Sequence, residues 1–259
     1  STVRFGNADA LPEALRGLRR LSAPGDAPVD ARIDVARCLR AHWPLDVSVR
    51  EDTHCFGRPA YAFEVEPLER RARLLLAAPL DANDRYWIQR DIFGILACMS
   101  GQLMLHGSAV TPNGDEAWVF CGQSGAGKST LCRMLLSAGM RAINDEINWL
   151  FEDADGVLRI VNQPFWFGGA ETPYLSVTRL HFLRQAPRCA WGPELSKIEA
   201  FTGLLASHLS IDTRYDFLET RAHALKHLVE TRPVRVLEFN LDTDELVGLL
   251  CENTLHNVS

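Results

Sequence analysis

The sequence predicts a mixed α/β fold, of the α+β kind, with a smaller N-terminal lobe before a larger C-terminal domain. Three observations lead to this prediction. Short strand-like runs separated by Gly, Pro and Asp fill the first hundred residues. A helical period begins at Asp84, and an apolar strand at residues 117–121 runs directly into a glycine-rich loop and a second helical pattern. The boundary between the lobe (1–100) and the domain (101–259) falls near residue 100.

In the lobe, alternating apolar and polar residues predict strands at residues 3–5, 31–39, 61–65 and 73–78. The helix that follows has Asp84 as a suitable N-cap and ends at Ser100-Gly101. In the domain, the same patterns predict strands at residues 103–110, 117–121, 141–144, 147–151, 158–161, 177–183 and 234–239. Helices are predicted from the glycine-rich loop to Gly139 and at residues 194–207, 216–230 and 243–251.

Length, composition and charge are those of an ordinary folded protein. The chain has 259 residues, 47% of them hydrophobic and 23% charged, enough for one large core or two small ones. The 27 basic residues against 33 acidic ones give a net charge of −6. Proteins that bind nucleic acid or anionic membranes show the opposite balance, so we expect neither partner.

The apolar stretches and the cysteines bear on localisation. Residues 92–105 are apolar but are interrupted by glycines and polar residues, so they are too short and too broken for a membrane span. The first twenty residues lack the apolar core of a secretory signal. The seven cysteines are scattered and include no C-x-x-C pair. These features predict a cytoplasmic protein with reduced cysteines.

The glycine-rich segment matches the phosphate-binding pattern G-x-x-x-x-G-K-[ST], with Gly122, Gly127, Lys128 and Ser129 at its fixed positions. A loop of this type leaves a buried strand and opens a helix, so its backbone N–H groups and the helix dipole converge on phosphate oxygens. Lys128 would reach the β and γ oxygens, and the Ser129 hydroxyl would join a Mg²⁺ shell. The predicted nucleotide-binding residues are Gly122, Ser124, Gly125, Ala126, Gly127, Lys128, Ser129 and Thr130.

Phosphoryl transfer also needs a carboxylate for the metal and, for a hydroxyl acceptor, a group that takes its proton. Asp145 and Glu146 end the strand after the loop's helix, where a turn of the chain brings both to one site. We predict that Asp145 binds Mg²⁺ and that Glu146 is the base that takes the proton. The alternative is an ordinary solvated acidic turn.

His106 lies between Leu105 and Gly107 on a predicted strand. A single histidine in such a position is commonly a hydrogen-bonded structural residue. Its pKa range would also let it assist a carboxylate or contact phosphate.

The combination resembles the catalytic core of bacterial HPr kinase/phosphorylase and its shorter relatives. The similarity lies in three segments, Leu105-His106-Gly107-Ser108-Ala109-Val110, the loop from Gly122 to Thr130, and Gly139 with the Asp145-Glu146 pair. Lys128 and Glu146 are 18 residues apart, as in the family. The resemblance implies a P-loop core related to phosphoenolpyruvate carboxykinase. It also implies that His106 lies beside the reacting phosphate, that Glu146 is the base toward a serine hydroxyl, and that Ser129 binds Mg²⁺.

Three features depart from the family. Glu146 stands where the HPr enzymes usually have Asp. The later segment that carries a metal-binding Glu near an Arg-Gly pair is not recognisable, although Glu171 lies at a comparable distance. The first hundred residues do not resemble the family's N-terminal domain, which argues against HPr itself as the substrate.

The function predicted from the sequence is that of an ATP- and Mg²⁺-dependent kinase. Its acceptor would be a hydroxyl, foremost a serine of a peptide or protein, which the N-terminal lobe would bind. The catalytic residues would be Glu146, His106, Lys128 and Asp145, with Ser129 and Asp145 as metal ligands. A small-molecule alcohol kinase and a non-catalytic ATP-sensing module are the alternatives. Assembly into a homo-oligomer is a further expectation from the family.

Overall fold

A computed structural model describes residues 4–6, 32–37, 48–50, 53–58, 60–66, 69, 71–76, 80–161, 174–208 and 217–252. The chain divides into two compact units. The first comprises Ser1–Gln102 with Ser210–Thr220, and the second comprises Leu103–Leu209 with Arg221–Ser259. Both units combine a β-sheet with helices, which makes the fold a mixed α/β fold as predicted.

The first unit contains a six-stranded sheet and one long helix. The strands are β1 (Arg4–Gly6), β2 (Arg32–Arg37), β3 (Ser48–Arg50), β4 (Thr53–Arg58), β5 (Tyr61–Glu66) and β6 (Arg71–Leu76), in the order β1-β2-β6-β5-β4-β3. The sheet is parallel at β1–β2 and β2–β6 and antiparallel elsewhere. The four strands predicted for this region are confirmed, with ends shifted by one or two residues, whereas β3 and β4 were not predicted.

Helix α1 (Ala82–Met99) covers the predicted period, but its cap differs from the prediction. The N–H of Asp84 donates to Asp81 Oδ1 at 2.7 Å, and the N–H of Asp81 donates to Asp84 Oδ2 at 3.2 Å. Asp81 is therefore the capping residue and Asp84 is its partner within the first turn, a reciprocal arrangement that satisfies two backbone donors. The assignment of Asp84 as the cap was wrong.

The second unit contains an eight-stranded sheet. Its strands are β7 (Leu103–Thr111), β8 (Glu116–Cys121), β9 (Arg141–Asn144), β10 (Ile147–Glu152), β11 (Leu158–Val161), β12 (Tyr174–Gln185), β13 (Ala190–Glu194) and β14 (Arg235–Phe239). The order is β11-β10-β7-β8-β12-β14-β13, with β9 beside β7. Strand β11 also pairs with β12, so β11, β10, β7, β8 and β12 close into a ring. Strands β8, β12 and β14 are mutually parallel.

Helices α2 (Lys128–Ser137), α3 (Lys197–Ser207) and α5 (Thr243–Glu252) belong to the second unit, as does α4 (Phe217–Thr231) from Arg221 onward. Two apolar clusters lie on opposite faces of the sheet. One joins strands of the ring to α3 and α4 through residues such as Leu105, Leu204 and Leu225. The other joins the opposite face to α2 and α5 through residues such as Leu135 and Leu246. Strand β8 contributes to both clusters, as its unbroken apolar sequence predicts.

The segment before α3 differs from the predicted helix at 194–207. Residues 190–194 form β13 at the edge of the sheet, and the helix begins only at Lys197. Ser196 caps the helix: its Oγ accepts from the N–H of Glu199, whose carboxylate accepts from the N–H of Ser196. Pro193 lies in β13, and an edge strand tolerates a proline because one side of it needs no partner.

No helix within the described ranges is both long and apolar enough to span a bilayer.

Candidate active site

The glycine-rich loop lies between β8 and α2, as the sequence predicts. Strand β8 is buried from Ala117 to Cys121, and α2 starts at Lys128 directly after the loop. Gly125 and Gly127 have φ angles of +82° and +98°, in the left-handed region that disfavours other residues. At Gly127 a Cβ would also lie 2.5 Å from Cζ of Phe239. The loop therefore packs against the end of β14 so closely that only glycine fits at Gly127.

Strand β12 supports the loop from the other side. It runs parallel to β8, so the two strands end at the same edge of the sheet. At that edge Gln185 Nε2 donates to the carbonyl oxygen of Gly125 at 3.0 Å. Gln185 was not among the site residues found from the sequence, and only its place at the end of a strand adjacent to the loop could have indicated it.

Lys128 folds back over the loop from the first turn of α2. Its Nζ donates to the carbonyl oxygens of Gly122 at 2.9 Å and Gln123 at 3.1 Å, and the residue is only 7% exposed. Burial lowers the pKa of Lys128, whereas the neighbouring Cys121 thiol and Asp145 carboxylate act to raise it. The ammonium group is thus held at the loop by two carbonyl oxygens, with one donor left for a further acceptor.

The other predicted phosphate-binding residues are distributed around this lysine. Ser124 and Ser129 are exposed, and Ala126 and Thr130 are half-buried. Ser129 lies in the first turn of α2, next to Lys128 in sequence. The hydroxyl groups are therefore accessible to a ligand at the helix N-terminus.

The acidic pair occupies a bend between β9 and β10. Both strands pair with β7 in the same antiparallel sense. Asp145 and Glu146 form the break between these two paired segments. The side chain of Asn144 stabilises the bend: its Oδ1 accepts from the N–H of Glu146 at 2.9 Å and of Ile147 at 3.0 Å. Asp145 and Glu146 are half-buried. The Asn144 side chain thus fixes the backbone of the acidic turn.

Ser108 holds the side chain of Asp145. Its Oγ donates to Asp145 Oδ1 at 2.6 Å, and the residue is fully buried. Ser108 belongs to the Leu105–Val110 segment but was not predicted to be a site residue. A signal was available, since residues two apart on a strand share a face and Ser108 follows His106 by two.

The side chain of His106 contacts the backbone of the same bend. Its Nδ1 lies 3.1 Å from the carbonyl oxygen of Glu146, which also accepts from the N–H of Gly107 at 3.1 Å. A carbonyl oxygen can only accept, so Nδ1 carries a proton and Nε2 has the lone pair in the neutral ring. Gly107 is required here because a Cβ would lie 2.7 Å from the carbonyl oxygen of Phe120.

The structure thus brings the loop and the acidic turn together across β7. Asp145 is close enough to Lys128 to influence its pKa, and Ser108 and His106 connect β7 to the acidic turn. Two basic residues of β12 have partners within the protein: Arg184 pairs with Glu238, and the guanidinium of Arg179 lies over the ring of Trp118 at 4.3 Å. Glu171 lies outside the described residues.

The donor atoms at this site suit a polyphosphate and a hard cation. Backbone N–H groups at a helix N-terminus and a lysine ammonium bind phosphate oxygens. A serine hydroxyl and a carboxylate oxygen are ligands that Mg²⁺ accepts alongside phosphate and water. Among the residues described, no group of three or more His, Cys, Asp and Glu side chains could hold a metal ion.

Of the comparisons with known proteins, the one with solved structures gives matches. No protein-family model matches the chain, and no curated protein matches it. Among solved structures, the HPr(Ser) kinase/phosphatase from Coxiella burnetii is similar with a TM-score of 0.33 and 14% sequence identity, over 60% of this chain and 99% of that one.

Proposed function

We propose that the protein is a kinase that uses ATP and Mg²⁺ to phosphorylate a hydroxyl group. The observation that carries the proposal is the placement of Lys128 and the loop beside Asp145, with Asp145 held in turn by Ser108. A glycine-rich turn without such a role would not need a carboxylate held next to its lysine. The P-loop kinase core and the cofactors ATP and Mg²⁺ are parts of this proposal.

The residues of the loop would bind and orient the nucleotide. Backbone N–H groups between Gly122 and Thr130 would hold the β- and γ-phosphates, and Lys128 would neutralise charge on them. When bound, Mg²⁺ would screen the phosphate oxygens, with Ser129 and Asp145 as its protein ligands. These contacts would be preorganised, since Lys128 and Asp145 are already held by hydrogen bonds.

Glu146 and His106 would act on the acceptor side. Glu146 would accept the proton of the attacking hydroxyl, and the bend made by Asn144 sets its direction. His106 would contact the transferred phosphoryl group from Nε2, since Nδ1 faces the Glu146 carbonyl oxygen. A contact of Nε2 with phosphate requires the protonated ring, so His106 would bind phosphate as the imidazolium.

The acceptor proposed is a serine of a peptide or protein. In this proposal residues 101–259 form the catalytic domain and the N-terminal lobe, residues 1–100, receives the acceptor. The same site would also phosphorylate a small-molecule alcohol, which is the alternative acceptor. An ATP-sensing module would bind the nucleotide without transfer, and the experiment below separates it from a kinase.

The test is to follow the γ-phosphate of labelled ATP in the presence of Mg²⁺ and a panel of serine peptides and small alcohols. Lys128→Ala is expected to reduce transfer by about 10²–10³-fold, as loss of a preorganised donor does. Glu146→Gln is expected to reduce it by about 10²–10⁴-fold with nucleotide binding retained, because only proton removal is affected.

Lys226→Ala and Glu230→Gln are the matched controls. Both side chains lie on α4, where they form an exposed pair at 3.9 Å, and both changes should leave transfer unchanged. Full activity of Glu146→Gln would eliminate Glu146 as the base. Nucleotide binding without transfer to any acceptor would favour the sensing module.

A further inference from the structure

Ser108 stands out among the polar residues near the loop because it is completely buried and makes one short bond. The hydroxyl donates to Oδ1 of Asp145 at 2.6 Å. Among the residues described, Asp145 receives no other hydrogen bond, so its second oxygen, Oδ2, is the one left for another ligand. The two oxygens of this carboxylate are therefore not equivalent.

The hydroxyl is fixed by its strand. Ser108 pairs with Phe120 across β7 and β8, and the preceding Gly107 is held on both sides. The N–H of Gly107 donates to the carbonyl oxygen of Glu146 at 3.1 Å, and its carbonyl oxygen accepts from Asn148 Nδ2 at 2.7 Å. Because Ser108 is buried, water cannot readily take the place of its hydroxyl. The strand thus holds the hydroxyl against Oδ1 of Asp145.

We propose that Ser108 is a positioning residue that makes Asp145 a ligand through one oxygen and thereby favours Mg²⁺ over Ca²⁺. This inference rests on the proposed function. Mg²⁺ is small and octahedral and takes one oxygen from a carboxylate, whereas Ca²⁺ is larger and readily takes both. Because Oδ1 already accepts a hydrogen bond from Ser108, the bidentate mode that suits Ca²⁺ is disfavoured, and Oδ2 is ready for the single-oxygen mode that suits Mg²⁺.

The test measures metal selectivity in binding and does not depend on phosphoryl transfer. The full chain is mixed with N-methylanthraniloyl-ATP, and its fluorescence is followed as MgCl₂ or CaCl₂ is added. In Ser108→Ala the half-saturating Mg²⁺ concentration is expected to rise by about 10–100-fold, the usual effect of losing a partner of a metal ligand. The Ca²⁺ value should change much less, so the preference for Mg²⁺ falls by roughly tenfold or more.

Thr178→Ala is the matched control. The Thr178 hydroxyl also donates to a carboxylate, Oε2 of Glu116, at 2.7 Å, but on an exposed part of β12. This variant should keep the wild-type ratio of Mg²⁺ to Ca²⁺ affinity. A second control is the Asp145→Asn background, in which Ser108→Ala should have no further effect on either metal if Ser108 acts through Asp145.

The outcomes separate the inference from the function on which it rests. A folded Ser108→Ala protein with unchanged selectivity overturns the inference and leaves the proposed function intact. A wild-type protein that binds no labelled nucleotide with Mg²⁺ overturns both. If Ser108→Ala does not fold, as judged by circular dichroism, Ser108→Cys serves in its place, since its thiol is a weak donor and should also lose selectivity.

Discussion

Replacing Gly127 by alanine tests how the loop is seated on the sheet. A left-handed residue other than glycine costs about 1 kcal/mol. The added Cβ would also lie 2.5 Å from Cζ of Phe239, a core residue that is only 2% exposed. Overpacking of this kind costs about 1–3 kcal/mol. We therefore expect Gly127→Ala to lower the free energy of unfolding by about 2–4 kcal/mol.

Gly125→Ala is the control that isolates the steric part. Gly125 also has a positive φ, +82°, but a Cβ there would meet nothing within 4 Å. The expected loss is therefore the backbone part alone, about 1 kcal/mol. The gain from stiffening the unfolded chain applies equally to both variants and cancels in the comparison.

The assay is urea unfolding followed by circular dichroism, with the free energy extrapolated linearly to water. The added penalty of Gly127→Ala should shrink in a Phe239→Leu background, because the smaller side chain leaves room for the methyl group. Equal losses for the two glycine variants, or no rescue by Phe239→Leu, would refute the packing of the loop on β14.

Two further predictions concern acid stability and nucleotide binding. Burial, reinforced by Arg179, lowers the pKa of His181 to about 4. The unfolded ring titrates near 6.5, so the unfolded state binds the proton first as the pH falls, and stability declines between about pH 7 and pH 4. His181→Leu should reduce the stability loss between pH 7.5 and pH 5 by about 2 kcal/mol in urea titrations, and an unchanged slope would count against this. Gln185→Ala removes the bond to the Gly125 carbonyl oxygen and should weaken ATP binding about fivefold, measured by calorimetry; equal affinity would show that Gln185 does not order the loop.

Much of the secondary structure follows from local patterns. The α1 period and the apolar run of β8 identify their elements because each buries the faces that its spacing implies. Strand β4 escaped prediction because Gly57 and a mixed polarity hide its alternation, and its pairing with β5 is a non-local fact. Strand β13 escaped because Pro193 argues against a strand unless its place at the sheet edge is known.

In the candidate site, too, some residues follow from local patterns and others depend on non-local pairing. The loop could be predicted from the sequence because its glycine and lysine spacing is typical of phosphate binding. The acidic pair could be predicted because it follows the loop's helix. Ser108 and Gln185 could not be assigned, because their roles depend on which strands are neighbours. The closed ring that brings β7 between β8 and β10 is formed by contacts between distant segments, and no local pattern specifies it.

The central claim is that the loop binds the polyphosphate of ATP and presents its terminal group to the acidic turn. The most direct measurement is a crystal structure with a non-hydrolysable ATP analogue and Mg²⁺. We predict the β- and γ-phosphates against the backbone N–H groups from Gly122 to Thr130, with Lys128 Nζ on their oxygens and the metal between Ser129 and Asp145. A nucleotide bound elsewhere, or an Asp145 side chain turned away from the phosphates, would contradict the account.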